Sequence, residues 1–409
     1  MKKILALLLA CMMILGLFAG CAESGSGKSE KITLTVWGPQ EDQVEGNNYL
    51  KTVCENFAAA HPEYDITFVY GVCSEGDAGT KVTQDPSTAA DVYMFANDQL
   101  GALIQAEAIA KLGGDVLTQV KNDNSDYMVS TVSDANGNVY GVPYAINTWF
   151  MYYDKSVYSE EDIKSLDAMM AKKTVAFPLT NTWYLPAFYY ANGGTMFGDG
   201  TDGKAGIDFG GDKGTAVTTY LAQAIASGKL INDADGSGLD DLRNGKVGAI
   251  FSGTWDAKKA AEALGENYGA AQLPCITING EQKQLKSFAG SKALGVNPNS
   301  KNLAVAYQLA AYMGSAEAQK LHYEMRSGDV VPCASSVLAG SEFSTNLAAV
   351  AQEATFVNTS VLQPSIAEMS NYWTNADSMG KGLANKEVTV ENAQEKTKLW
   401  NEAINGDGL

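Results

Sequence analysis

Histidine is nearly absent: His61 and His322 are the only two in 409 residues. His61 stands beside the helix-ending Pro62, and His322 lies in a helical stretch; neither has the neighbours of a Ser or Cys triad. Cysteine is scarce too, six in all, with no Cys-x-x-Cys pair, so the usual zinc spacings are missing. No Gly-rich phosphate loop occurs. The Gly- and Asp-rich stretch 198–211 departs from the EF-hand calcium pattern and reads as a solvated turn. No metal and no cofactor is expected. Positive charge is short as well: 29 Lys and Arg face 47 Asp and Glu, a net charge of −18. Nucleic acid and anionic lipid surfaces repel such a chain. Long apolar runs are limited to Ile4–Phe18, too short and wrongly flanked for a stable membrane span.

That run follows the basic Met1-Lys2-Lys3 and ends in Leu17-Phe18-Ala19-Gly20-Cys21. The ending is similar to a bacterial lipobox, whose Cys is diacylated before cleavage, although Phe18 stands where Leu is usual. An ordinary secretory signal is the other reading. Glu23-Ser24-Gly25-Ser26-Gly27-Lys28-Ser29 cannot bury a core and reads as a flexible tether. Residues 1–20 are therefore expected to be a lipoprotein signal, 21–30 the tether, and Cys21 the lipidated residue. Two acyl chains suffice for stable anchoring, which places the domain on the outer face of the cytoplasmic membrane. Loss of Lys2 and Lys3 deepens the net charge to −20. Cys54, Cys73, Cys275 and Cys333 remain, as one disulfide or as scattered buried thiols.

What is present is an ample apolar content, 45%, over a length that suggests two lobes. Ile32 to Trp37 alternates as a strand, Tyr49 to Phe57 repeats at helical spacing, Ile66, Phe68 and Tyr70 alternate again, and Asp91 to Ala96 is a buried strand. Strand, helix, strand, helix implies a parallel α/β sheet, with ligands beyond the carboxyl ends of its strands. The segments to watch are Trp37 to Glu41 and Phe95 to Gln99. Gly141 to Lys155 follows an Asn136-Gly137 turn and is apolar and stiffened by Pro143, an extended crossing between lobes. Asn147 is its one strongly polar side chain and needs a partner, which a ligand can supply. A second α/β set follows. It has helices predicted at 160–171, 183–191, 216–226, 302–313, 315–326, 344–354, 366–384 and 390–404, a strand at 175–177, and an Asn279-Gly280 hairpin. Trp255 falls between a strand's carboxyl end and a helix start. Phe288 to Val296 and Asp329 to Ser336 are further candidate crossings.

Four stretches carry a family resemblance: Asp91 to Asp98, Gly141 through Lys155, Asn244-Gly245-Lys246 through Trp255, and Pro364 to Trp373. In order and spacing the mature chain resembles the family 1 extracellular solute-binding proteins, the maltose-binding group. The resemblance implies an α/β fold of the periplasmic-binding-protein-like type II kind. Its N-terminal lobe would take 31–146 and 290–333, and its C-terminal lobe 147–289 and 334–409. A three-segment hinge near Ala145–Trp149, Phe288–Ala293 and Val330–Ser335 would join them. It implies a carbohydrate in the cleft and delivery to the permease subunits of an ABC importer; the chain is expected to act as a monomer. Carried over residue by residue, Phe95, Trp183, Trp255 and Trp373 fall on stacking positions. Asp98 falls on a hydroxyl-binding Asp, Asn147 and Asn181 replace acids, and Glu41 lies in a loop of polar sugar contacts. Gln99 replaces a basic residue.

Sugar chemistry fits the same residues. A pyranose packs its C–H face on an aromatic ring, and Asp, Glu, Asn or Gln bonds neighbouring hydroxyls on its edge. An iron site fits less well, because adjacent Tyr152 and Tyr153 face opposite ways on a strand. The helix start at Ser252-Gly253-Thr254 leaves a bound anion as an alternative. A polyamine would need acids where Asn147 and Asn181 stand. An exported glycoside-processing enzyme and a surface adhesin are the competing classes, but no motif singles out a carboxylate pair.

Overall fold

The computed structural model describes residues 30–234 and 236–406. The leader, Cys21 and most of the expected tether lie outside the described residues. Glu30, placed at the tether's end, already opens the first strand.

In β1 (Glu30–Gly38), Ile32, Leu34 and Val36 are buried while Lys31 and Thr33 between them are exposed, the period-2 pattern of a strand with one covered face. β2 (Tyr64–Val72) runs parallel to it in register from Glu30↔Tyr64 to Gly38↔Val72. The helix Tyr49–Ala60 connects them. Asn48 caps it by accepting from Lys51 N–H at 2.9 Å, and its buried side is Leu50, Val53, Cys54 and Phe57. β3 (Val92–Ala96), parallel to β1 and antiparallel to residues 292–296 on its other side, is buried almost throughout; the sheet is therefore mixed rather than all parallel as expected. β4 (Val142–Asn147), β14 (Ser287–Val296) and β15 (Ser360–Leu362) complete a sheet ordered β15-β14-β3-β1-β2, with β4 also on β14.

The second sheet joins β5 (Phe150–Asp154), β6 (Val175–Phe177), β9 (Leu230–Asn232), β10 (Ala249–Ser252) and β11 (Tyr268–Ala271) in the order β11-β5-β10-β6-β9. Two hairpins stand apart, β7 (Thr195–Met196) with β8 (Ile207–Asp208) and β12 (Cys275–Ile278) with β13 (Glu281–Gln284). Each sheet has its own core. The first gathers Leu34, Phe57, Phe95 and Leu309; the second is richer in large rings, with Trp149, Phe177, Phe188, Phe251 and Trp400.

Three segments pass between these cores side by side. Thr148 and Trp149, both fully buried, carry the chain from β4 to β5. Asn147 pairs with Gly290 on β14, and Ile146 N–H donates to the Val331 carbonyl at 2.9 Å. Cys333 and Ala334 N–H both donate to Gln319 Oε1, at 2.8 and 2.9 Å. The lobes also meet at Gly101. It lies in the short helix Leu100–Gln105, and the loop after β15 comes so close that a Cβ would stand 2.2 Å from the Ser365 carbonyl oxygen.

Most expected elements are present, and the departures have local causes. The helix expected from Trp183 starts at Pro186, where a missing N–H costs nothing; Asn181 to Leu185 is left as a turn. The 160–171 stretch divides into Asp162–Lys164 and Leu166–Lys172, the second capped by Ser165. The single helix expected over 366–384 is two, Met369–Asn375 and Asp377–Ala384. At the break, the Ala376 carbonyl accepts from the Trp400 indole N–H at 3.1 Å. Asn279-Gly280 makes the β12–β13 turn with both φ positive, 53° and 81°. Asn136-Gly137 lies in a turn closed by the bridge Ser133↔Val139 and by hydrogen bonds to Asp134, not between strands. The four cysteines are free thiols; burial pushes Cys54 up to about 12. In the 198–211 loop Asp199 and Asp202 accept from N–H groups of their own turns, and Asp208 pairs with Lys213. Among the described residues no three His, Cys, Asp or Glu side chains group as a metal site.

Candidate functional site

The second lobe builds a wall from strand ends. β10 stops at Ser252, and a turn over Thr254–Asp256 opens the helix Ala257–Leu264. Trp255 therefore stands clear of the sheet, 45% exposed, among the most open of the large apolar side chains. Trp183, on the turn before Pro186, places its ring 6.1 Å from that of Trp255, tilted 37°. Its indole N–H is fixed by Gln363 Oε1 at 2.8 Å. Trp373, half-buried, leans on Tyr372 and Phe288 at 5.1 and 6.2 Å. Tyr372 in turn donates to the Thr182 carbonyl at 2.7 Å, tying its helix to the Trp183 turn.

Asn181, Trp255 and Trp373 line one cavity of about 600 Å³. Tyr184, Asp233, Asp256 and Asp377 line it as well. Asp256 accepts from Ser252 Oγ at 2.6 Å and pairs with Lys259 at 3.3 Å. Asp233 accepts from Gly238 N–H at 2.7 Å; burial, and then the charge of Asp256, hold its carboxyl above the usual range. Burial likewise raises the Tyr184 hydroxyl, with Asp256 and Asp233 adding to it. The cavity thus joins apolar ring faces to acceptors and one phenol donor, which suits a polyhydroxylated ring.

The first lobe contributes differently. Asp98 follows β3 in the turn Asn97–Gln99, and its Oδ1 is sealed from solvent without a partner. Burial pushes this carboxyl up to about 6. Asn97 accepts from Ser291 N–H on β14 at 3.0 Å, so this turn grips a crossing strand. Gln99 is engaged locally: its amide donates to the Glu75 and Gly76 carbonyls, both at 2.7 Å, and its oxygen accepts from Gly79 N–H. Glu75 meets Tyr144 Oη and Lys292 Nζ, each at 2.9 Å. Burial alone would raise Glu75, but the Lys292 charge and hydrogen bond bring it below the usual range. Glu41 is exposed and lines a second cavity of about 580 Å³ with Lys258 and Arg326, beyond the Trp255 turn. Its neighbour Asp42 is fully buried against His322 and Arg326, at 2.9 and 2.6 Å. Burial works to raise Asp42, and those two partners bring it below the usual carboxylate range.

The expected residues therefore divide. Asn181, Trp255 and Trp373 share a cavity, and Trp183 packs against Trp255. Asp98, Glu41 and the half-buried Asn147, at the end of β4, belong to the other lobe and the crossing. Phe95 offers no stacking face: it is fully buried, 6.0 Å from Tyr93 on the same side of β3, and packed over Gly141. A central strand covered on both sides has no open side chain until it ends, so the platform expected at Phe95 is absent. Asp233 and Asp256 went unnoticed in the sequence. Asp233 directly follows β9 and Asp256 stands next to Trp255 in the turn after β10, so the rule that found Trp255 also reaches them. Tyr184 and Asp377 carry no comparable signal.

The profile of the bacterial extracellular solute-binding proteins matches residues 52–352. The chain belongs to that family. A structure obtained with acarbose is 50% identical, with a TM-score of 0.86, covering 91% of this chain and 98% of that one. The galactooligosaccharide-binding protein of Bacillus subtilis is 28% identical over 97% of each chain. The maltooligosaccharide ABC transporter solute-binding lipoprotein of Streptococcus pneumoniae TIGR4 is 28% identical over 88% of this chain and 85% of its own. Among the described residues no helix is long and apolar enough to cross a membrane, and the fold of this solute-binding protein is the two-lobed α/β fold of its solved relatives.

Proposed function

We propose that this solute-binding protein takes up an extracellular oligosaccharide of the maltodextrin kind and presents it to the permease subunits of an ABC importer, as a monomer held to the membrane through lipid on Cys21. The observation that carries this reading is the single cavity in which Trp255 and Trp373 stand beside Asn181, Asp233 and Asp256. Rings take the C–H faces of successive pyranoses, and the carboxylates take hydroxyls along the edge. Asp98, Asn147 and Glu41 complete the contacts from the first lobe and the crossing when the lobes, divided at 146/147, 289/290 and 333/334, close on the ligand. A ligand bonded to both walls favours the closed form by that difference in contacts and no more.

Calorimetric titration with maltotriose, maltotetraose and a β-linked galacto-oligosaccharide tests the ligand. Saturable binding of an α-linked glucan is expected, with the sugar recovered unaltered after long incubation. Binding of the galactoside alone changes the sugar, and binding of neither refutes the class. Cys21→Ser is expected to release the protein from the membrane fraction of cells.

A further inference from the structure

We infer that Gly253 is the positioning residue for the Trp255 ring, a role that rests on the reading of Trp255 as a sugar platform. Gly253 links β10 to the Trp255 turn with φ −105° and ψ −171°, a backbone conformation open to any residue. What requires glycine there is space. A Cβ at 253 would stand 2.1 Å from Trp255 Cζ3, 2.2 Å from Cη2 and 2.5 Å from Cε3. The six-membered half of the indole thus lies directly on the Gly253 Cα. The backbone at Gly253 is held: its carbonyl accepts from the buried Tyr152 hydroxyl at 2.9 Å and from Asp256 N–H at 3.2 Å. The ring is bounded elsewhere by Trp183, which Gln363 holds in place. What stands open to it is the cavity of about 600 Å³ that it lines and the solvent that already reaches its exposed part.

Any side chain at 253 therefore displaces the Trp255 ring from its place in the cavity wall beside Trp183. Position 253 decides whether a tryptophan two residues later is a platform or a surface side chain.

The test is Gly253→Ala, Trp255→Ala and the double variant, titrated with maltotetraose, with circular dichroism of the ligand-free proteins. Two indoles 6.1 Å apart couple excitonically. Gly253→Ala is expected to remove that couplet, as Trp183→Phe should, without ligand present. It is also expected to weaken binding about 10- to 100-fold, as loss of an aromatic anchor does, and to add nothing in the Trp255→Ala background. A merely structural role for Gly253 would lower affinity equally in both backgrounds and leave the couplet intact; that outcome overturns the inference. Full affinity in Gly253→Ala with weak binding in Trp255→Ala overturns it too, and leaves the sugar site standing. Full affinity in Trp255→Ala refutes the sugar site itself. A Gly253→Ala protein that unfolds while the double variant folds means that the ring cannot move aside, and that too overturns the inference.

Discussion

Around Trp255 the second lobe offers half-open rings, Trp183 beside Trp255 and fixed by Gln363; around Asp98 the first lobe offers ionisable groups sunk among partners, Asp42 with His322 and Arg326, Glu75 with Lys292 and Tyr144. The difference is one of directionality. A ring face tolerates lateral shifts of a sugar and contributes mainly area. A buried carboxylate with one unmatched oxygen rewards a hydroxyl at one place only. The aromatic wall should therefore set how tightly a sugar is held, and the polar wall which sugar is held and whether the lobes close.

The largest expected effect falls on the polar wall's foundations. Asp42→Ala leaves the Arg326 guanidinium beside a cavity where a buried carboxylate stood, and breaking such a pair costs about 3–5 kcal/mol. Urea unfolding should show that loss. A loss below about 1 kcal/mol would mean the pair is solvated and the contrast between the walls is overstated. Next come Trp255→Ala and Trp373→Ala, each expected to weaken sugar binding by roughly 1–3 kcal/mol with little change in melting temperature. A pair of variants that unfold early but bind normally would turn the aromatic wall into core.

Asp98 gives a smaller, pH-resolved effect. Its carboxyl titrates at about 6 in the empty protein, and an ionised group accepts sugar hydroxyls best. Below that pH, binding must first expel a proton, so affinity should fall by up to about tenfold per pH unit. Asp98→Asn should flatten that profile. The sign for stability is opposite. The folded protein holds this proton more tightly than the unfolded chain, so Asp98's contribution is full below the ordinary carboxylate pKa and is lost as pH rises through about 6. Asp98→Asn should then raise the melting temperature at neutral pH. A flat affinity profile for the unaltered protein between pH 5 and 7.5 would remove Asp98 from the site. The smallest signal is closure itself, a modest fall in radius of gyration with maltotetraose that small-angle scattering should show; an unchanged radius at proven saturation would mean that the walls do not move together.

The placement of Trp255 was legible because a strand end and a helix start bracket it within a few residues, and Asp98 likewise follows a strand; the roles proposed for them, and for Trp183 and Trp373, rest on the family resemblance. Phe95 was misread because a strand's apolar run does not say where its covered part ends; β3 stays buried through Phe95 and opens only at Ala96. Gln99 shows the same limit, since its partners Glu75 and Gly79 come from a loop and a helix start 24 and 20 residues away in sequence. The break at Ala376 depends on an indole 24 residues away, and no window of helical periodicity contains it. The walls were readable, then, where one turn made them, and obscure where tertiary partners did.

The bare backbone at Gly101 makes the seam between the lobes adjustable by single carbons. With a carbonyl oxygen 2.2 Å from where a Cβ would sit, each atom added at 101 acts as a shim of known thickness. Gly101→Ala, Gly101→Val and Gly101→Leu should form a ladder of increasingly propped seams and falling sugar affinity. Such a ladder would turn this protein into a gauge of how much affinity each increment of lobe separation removes, with the chemistry of both walls left unaltered.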